Sequence, residues 1–153
     1  MKYETVPTTL AHIEELAGNM RQADINEVWA AGHHTPFMAL NVGFLGSYDT
    51  KTWLAGGKVM CIFGVGTTFI CDTKGYPWML SAKGFSKHYR PFLRGSRDFI
   101  STTMRSFGEL ENFVDARNKL AIRWLKWLGF DIYPPKPYGV DQLPFHRFRM
   151  EIG

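Results

Sequence analysis

Few side chains of this sequence have both the type and the spacing that catalysis or metal binding requires. The sequence contains no Walker loop, no Ser-His-Asp arrangement and no zinc-binding pattern, so we expect no metal site. His146 falls on the apolar side of a predicted strand, where a hydrogen-bonded core histidine is expected. The remaining candidates are two carboxylates, Glu111 and Asp115, which could act as general bases or pair with nearby lysines and arginines.

Asp115 belongs to a stretch, residues 112–130, around which the chain is organised. The period-two alternation of Asn112–Ala116 predicts a strand. Asn118 is the predicted N-cap of the next helix, because its side chain can accept a hydrogen bond from a free backbone N–H. Gly129 is predicted to end that helix in a left-handed conformation. The apolar positions of the helix recur at helical spacing: Leu120, Ala121, Trp124, Leu125 and Leu128.

The composition is that of a globular protein with a mild basic balance. A chain of 153 residues is expected to form one domain, residues 1–153. The net charge of +4 fits a nucleic-acid partner, and it fits equally an anionic cofactor such as a nucleotide or coenzyme A. We expect no membrane span and no signal peptide, because long apolar runs are absent. Cys61 and Cys71 are predicted to be buried and reduced, as in the cytoplasm.

The first 45 residues predict a short strand followed by helices. Thr8 or Thr9 is expected to cap the first helix. A second helix is expected over Asp24–Ala31, with Asp24 as its N-cap. Thr35-Pro36 is typical of a helix start, but periodicity leaves Phe37–Leu45 open between helix and strand. The side chains expected to point inward from the second helix are Ile25, Val28 and Trp29.

The remainder is predicted to be rich in strands. Gly56-Gly57 is a two-residue hairpin signal, and β character continues through Thr67–Cys71. A long helix is expected over Lys87–Phe107, with Pro91 tolerated in its first turn. The element order is therefore β-α-α-β-β-β-α-β-α-β-β. Besides the short first strand over Lys2–Val6, strands are expected over Thr50–Ala55, Lys58–Val65, Tyr76–Ala82 and Phe145–Ile152.

The helix after Asn118 carries a resemblance to a known family. Its spacing of Asn118, Ala121, Trp124-Leu125 and Gly129-Phe130 resembles the last motif helix of GNAT acetyltransferases, N-x-x-A-x-x-L-Y-x-x-x-G-F. Its arginine- and tryptophan-rich character and the PFHRFRMEI ending most resemble small GNAT-like proteins of podophages. The resemblance implies an α/β fold with a central, mostly antiparallel twisted sheet of about seven strands. Helices flank that sheet, and its fourth and fifth strands splay apart.

The resemblance also implies an acetyl-CoA site between the splayed strands. Its pantetheine arm would bond the backbone of the fourth strand at Met79, Leu80 and Ser81, beside Asn118 and Trp124 of the motif helix. Its pyrophosphate would rest at the start of the next helix, where backbone N–H groups favour an anion. The residues that the resemblance assigns to this phosphate loop are Lys83, Gly84, Phe85, Ser86 and Lys87.

Two features depart from the family pattern. The R/Q-x-x-G-x-G/A loop is absent, and Leu125 occupies the position where the family commonly has a tyrosine that protonates the departing thiolate. Tyr133, Tyr138 or a water could substitute as this acid, and the sequence does not select among them. Asp115 is the expected base for the attacking amine.

The sequence supports two functions of different classes. One is transfer of an acetyl group from acetyl-CoA to a primary amine of a protein or small molecule. The other is a catalytically degenerate GNAT-fold protein that acts by binding a host or virion protein. The podophage resemblance implies a location in the host cytoplasm or the virion. Nucleic-acid binding has weaker support, because a solvated helix face explains the arginines equally well; they are Arg90, Arg94, Arg97 and Arg105.

Overall fold

The computed structural model describes residues 1–67 and 73–151. The predicted β character of 68–71, the environment of Cys71 and the last strand position, Ile152, lie outside these residues. In chain order the elements are β1 (Tyr3–Pro7), α1 (Leu10–Ala17), α2 (Gln22–Gly32), α3 (Pro36–Leu45), β2 (Ser47–Ala55), β3 (Lys58–Gly66), β4 (Lys74–Ser81), a 3₁₀ turn (Phe85–His88), α4 (Tyr89–Phe107), β5 (Glu109–Asp115), α5 (Lys119–Leu128), β6 (Asp131–Ile132), β7 (Lys136–Tyr138) and β8 (Leu143–Glu151).

The strands form one mixed sheet in the order β1-β2-β3-β4-β5-β8-β6, and β7 pairs with β8. Every pairing is antiparallel except β4 with β5, which are parallel and joined through only two residue pairs, Lys74 with Glu109 and Gly75 with Leu110. Beyond these pairs the two strands separate. The predicted mixed sheet with splayed fourth and fifth strands is confirmed. The sheet has eight strands because the proline-rich tail forms two short ones, β6 and β7.

Aromatic side chains fill much of the core. Phe63 of β3 packs edge to face against Phe92 and Phe99 of α4, and Trp53 of β2 contacts Phe92 in the same way. Such edge-to-face pairs add to the free energy gained by burying the rings. A second cluster joins β5 to α5 and β8, and it contains Leu110, Val114, Ile122, Leu125, Phe130 and Phe148. The second cluster also includes Val65 of β3 and Ile100 of α4, so it packs across the line where β4 meets β5.

Several local signals are confirmed. Gly56 and Gly57 have φ of +57° and +81°, the left-handed values that a two-residue hairpin turn requires. Thr9 caps α1 by accepting a hydrogen bond from the His12 N–H. Thr35 caps α3, with Pro36 at its first position, so residues 37–45 are helical. Gly129 ends α5 with φ of +103°.

Three side chains lie elsewhere than predicted. Asp24 is not an N-cap, because α2 begins at Gln22 and Asp24 is a buried residue within its first turn. Trp29 does not point inward; it is 49% exposed and stacks on His33. Asn118 precedes α5 but makes no capping hydrogen bond. Both polar residues instead bond across the fold, since tertiary partners replace the local ones that a sequence pattern assumes.

The lengths of the helices and the burial of Cys61 are two further features of the structure. Within residues 1–67 and 73–151, no helix is both long and apolar enough to cross a membrane. Cys61 is a free, buried thiol of β3, and burial followed by the charge of Asp24 raises its pKa. The thiol therefore stays protonated at neutral pH and behaves as a core side chain.

Candidate functional site

A cavity of about 400 Å³ lies where β4 and β5 separate, and side chains of α2, α3 and α5 enclose it. Its narrow end is closed by a hydrogen bond across the gap, from the Asn112 Nδ2 to the Pro77 carbonyl oxygen at 3.0 Å. Gly43 of α3 permits close packing on β4, because a Cβ there would lie 2.7 Å from the Trp78 ring. The cavity is within the size range of small-molecule sites.

The edge of β4 that faces the cavity offers one unpaired backbone unit. Ser81 faces the gap, since its N–H donates to Asp24 Oδ2 (2.9 Å) and its carbonyl oxygen accepts from the Arg21 N–H (2.9 Å). Successive residues of a strand direct their backbone groups to opposite sides, so Leu80 faces β3 and Met79 faces the gap. Among the described residues, no hydrogen bond to this face of Met79 is seen. Met79 therefore presents a free N–H and a free carbonyl oxygen.

A buried polar cluster closes the wide end of the gap. Asp24 is only 2% exposed, and its Oδ2 also accepts a hydrogen bond from the Ser81 hydroxyl at 2.8 Å. Its Oδ1 accepts from Asn118 Nδ2 at 3.0 Å, and Asn118 Oδ1 accepts from the Arg21 guanidinium at 3.0 Å. The cluster ties α2 to the end of β4 and the start of α5. Asn118 thus lies on the cavity wall, but bonded to protein groups.

Glu27, one turn after Asp24, is the carboxylate best placed for proton transfer. Its Oε1 accepts the Asp115 N–H at 2.8 Å and Asn118 Nδ2 at 3.4 Å, and the side chain lines the cavity. Burial, and then the neighbouring charge of Asp24, raise the pKa of Glu27 to about 8. A carboxylate with a pKa near neutrality is suited to accept a proton. Sequence reasoning missed Glu27, although its spacing from Asp24 and Ala31 places all three on one helix face.

The raised pKa of Glu27 predicts a pH-dependent stability. The pKa is about 8 in the folded protein and near 4.5 for an ordinary glutamate, so the folded state holds this proton more tightly. Its contribution to stability is complete below pH 4.5 and is lost as the pH rises through 8. We expect the Tm to fall by several degrees between about pH 5 and about pH 9, and less in Glu27→Gln. Calorimetry at both pH values measures the change in Tm. An equal fall in Tm for the unaltered protein and Glu27→Gln would contradict the prediction.

The predicted carboxylate candidates are engaged in ion pairs. Asp115 is buried, and both of its carboxylate oxygens bond to Arg117, whose Nη2 lies 2.7 Å from Oδ2. Glu111 pairs with Arg147 and with Lys74. Although burial opposes the change, hydrogen bonds from these two cations lower the pKa of Glu111. The ion-pairing alternative that the sequence left open is the arrangement that the structure shows.

Of the two predicted tyrosines, Tyr138 borders the cavity. Its ring stacks on Phe113 with 4.1 Å between ring centroids, and burial raises its pKa. Tyr133 does not line the cavity; it lines a different hollow behind Phe113 and Tyr138, where the Arg147 guanidinium lies 4.9 Å above its ring. His146 donates from Nδ1 to the Tyr133 carbonyl oxygen at 2.8 Å, as expected of a satisfied core histidine.

Ser81, which was predicted to bind the cofactor, does not line the cavity, and its backbone groups bond to Asp24 and Arg21. The other predicted cofactor residues divide into two groups. Met79, Leu80, Asn118 and Trp124 line the cavity, beside the buried Leu125. Trp124 also borders a second cavity of about 180 Å³ under α4, and its indole N–H has no hydrogen-bond partner within the described chain. The second group follows β4 on the surface. There Lys83, Gly84, Ser86 and Lys87 are exposed, whereas the Phe85 side chain is fully buried against Trp53 and Phe92.

Comparison with solved structures shows which fold this is. One similar structure is an acetyltransferase of the GNAT family from Streptococcus pneumoniae. The superposition covers 99% of this chain and 100% of that protein, with 13% sequence identity and a TM-score of 0.60. YncA from Salmonella typhimurium, solved with its cofactor acetyl-CoA, matches 100% of this chain over 95% of its own (13% identity, TM-score 0.69). RimL, a ribosomal L7/L12 alpha-N-protein acetyltransferase solved with coenzyme A, is also similar. That superposition covers 99% of this chain and 95% of RimL, with 6% sequence identity and a TM-score of 0.68.

These likenesses establish the GNAT fold over the length of the described chain. No protein-family model matches the sequence, and no curated protein sequence matches it either. At identities this low a shared fold does not carry a shared activity. The function must therefore be argued from the cavity and its side chains.

Proposed function

We propose that this protein transfers an acetyl group from acetyl-CoA to a primary amine. The observation that carries the proposal is the free N–H and carbonyl oxygen of Met79, which face the same cavity as the Glu27 carboxylate. An unpaired strand edge beside a cavity fits an extended ligand that carries amide groups, because such a ligand can pair with it as an added strand. Glu27 supplies a proton acceptor in the same space.

The chain offers groups that could bind both the pantetheine arm and the phosphates of acetyl-CoA. The Met79 backbone would hold the pantetheine amides, Trp124 and Asn118 would flank that arm, and the exposed Lys83 and Lys87 would neutralise the phosphates. When bound, acetyl-CoA supplies an acyl thioester that an amine nitrogen can attack.

The proton steps are assigned to two side chains. Glu27 takes the proton from the attacking amine, a role that we assign to it rather than to Asp115, whose oxygens are bonded to Arg117. Tyr138 is the hydroxyl that donates a proton to the departing thiolate, since Leu125 cannot. Its raised pKa keeps the phenol protonated at neutral pH, as a donor requires. Tyr133 has no part in this scheme because it lies in a different hollow.

The double variant Lys83→Ala/Lys87→Ala tests the cofactor site. Two cations beside a phosphate-bearing ligand contribute Coulomb attraction, so we expect the Kd for acetyl-CoA to rise about tenfold, and the difference to shrink at high salt. Isothermal titration calorimetry measures both effects. The control is Lys126→Ala/Lys136→Ala, which removes two exposed lysines from α5 and β7. No binding of acetyl-CoA by the unaltered protein would refute the proposed function.

A second candidate is a GNAT-fold protein that acts by contact with a host or virion protein, as the podophage resemblance implies. The observation that favours it is α3, which lacks charged residues and exposes five large apolar side chains: Phe37, Met38, Val42, Phe44 and Leu45. A helix that is apolar all round is ordinarily covered by other protein. The acetyl-CoA titration separates the two candidates, because the second does not require the cofactor.

A further inference from the structure

We propose that the acceptor is a primary amine carried on an apolar body, with no carboxylate beside the amine. This inference rests on the proposed acetyl transfer and names the substrate class of the same cavity. It comes from the distribution of charged and apolar side chains around the cavity, which is strongly uneven.

One wall of the cavity is apolar and reaches the surface. It is built from α2 and α3, through Val28, Ala31, Ala39, Val42 and Gly43. Val42 lines the cavity and is also 57% exposed, so the apolar wall continues from the interior onto the outside of α3. The stacked rings of Phe113 and Tyr138 also border the cavity. An acceptor that enters here meets hydrocarbon, and its body gains free energy in proportion to the apolar area that it buries.

The charged groups of the cavity favour an amine and disfavour an acid. Asp24 and Glu27 are carboxylates, and Glu27 Oε2 accepts no hydrogen bond from any residue in the described ranges. Arg21 is the one lysine or arginine among the described lining residues. Its guanidinium is committed to Asn118 Oδ1 and to the Ser81 hydroxyl, and its Nη1 lies 4.0 Å from Asp24. No arginine or lysine of the described wall is therefore free to bind a substrate carboxylate.

Amino acids and diamines should consequently be poor acceptors. The carboxylate of an amino acid would lie near Asp24 and Glu27 without a cation, and like charges brought together in a partly desolvated site repel. With its reacting amine beside Glu27, a diamine would have to place its second ammonium against Val28, Ala39 and Val42, whose side chains offer no hydrogen-bond partner for it. A single amine on an aliphatic or aromatic chain has neither cost.

Matched acceptors test the inference at about pH 8.5, just above the pKa of about 8 of Glu27. Phenethylamine and phenylalanine differ only by the carboxylate, and hexylamine and cadaverine differ at the end remote from the reacting amine. We expect kcat/KM to be about thirtyfold higher for the first member of each pair. Phenylalanine amide, which keeps the size and removes the negative charge, should recover most of the loss. Thermal-shift titration of phenethylamine provides a readout independent of turnover.

A charge placed on the wall supplies the matched variant. Val42→Arg introduces a cation at an exposed position. It should lower kcat/KM for phenethylamine and raise kcat/KM for phenylalanine, so the ratio of the two values should fall. Leu45→Arg is the control, since Leu45 is 82% exposed on the same helix and does not line the cavity. Equal rates for phenethylamine, phenylalanine and cadaverine would overturn the inference and leave the acetyl transfer standing. No acetyl-CoA binding together with no transfer to any of these amines would overturn both.

Discussion

Glu27→Gln is expected to lower kcat for acetyl transfer by about 1,000-fold, with little change in the Kd for acetyl-CoA. The amide keeps the size of the side chain and can still accept the Asp115 N–H, but it cannot take a proton from the amine. The unaltered protein should show a rate that rises with pH up to about 8, the pKa of Glu27. The variant should lose that inflection and retain only the titration of the amine itself. Steady-state kinetics across this pH range measure both effects.

The control for this prediction is Glu14→Gln, which changes an exposed glutamate of α1 in the same way. It should leave kcat and the pH profile unaltered. Retention of more than a tenth of the activity in Glu27→Gln would show that the proton leaves by another path. Asp115 is the next candidate in that case, because it is the predicted base and its N–H contacts Glu27.

Asp24→Ala is expected to destabilise the fold by about 3–5 kcal/mol. The substitution leaves the Ser81 N–H and the Ser81 hydroxyl without an acceptor, leaves the Asn118 amide only its longer bond to Glu27, and removes the carboxylate beside Arg21. Buried donors without partners carry their full desolvation cost. For a chain of this length the Tm should drop by roughly 10 °C, which thermal unfolding monitored by circular dichroism measures.

A matched substitution distinguishes the buried cluster from a general loss of negative charge. Asp98→Ala removes an exposed carboxylate from α4 and should change the free energy of unfolding by less than about 0.5 kcal/mol. The loss of unfolding free energy in Asp24→Asn should lie between those of Asp24→Ala and Asp98→Ala. Its amide oxygen can still accept hydrogen bonds, but its amide nitrogen would face donors. A Tm for Asp24→Ala within a degree of the unaltered protein would refute the structural role of the cluster.

Much of the fold was predictable because its signals are local. The Gly56-Gly57 turn, the Thr9 cap and the Gly129 helix end each depend on residues within a few positions of one another, and each is confirmed. The motif helix after Asn118 identified the fold class for the same reason. The α3 segment was not predictable, since a helix with apolar residues on every side has no periodicity that separates it from a buried strand.

The site was harder to predict because its contacts are long-range. Asp24 bonds Ser81, which is 57 residues away, and Asn118, which is 94 residues away. A sequence pattern offers Asp24 only its local use as a helix cap. Glu27 becomes a candidate base only when β5 places the Asp115 N–H against it, 88 residues along the chain. Asp115 itself was the predicted base, but Arg117, two residues on, occupies both of its oxygens.

The joint between β4 and β5 has a mechanical consequence. Two residue pairs, the Asn112 side chain and the ion pairs of Lys74 with Glu109 and Glu111 link β4 to β5, and all of them lie toward one end of the two strands. The sheet is therefore in effect two halves hinged at that end. A small rotation about that hinge would hardly move Pro77, yet it would shift Ser81 and Asp115, at the far ends of their strands, by much more. The hydrogen bonds of the polar cluster around Asp24 would then hold the two halves of the sheet together at the end where β4 and β5 are separated. A ligand bound between the two halves of the sheet would compete with Asp24 and Arg21 for the backbone N–H and carbonyl oxygen of Ser81.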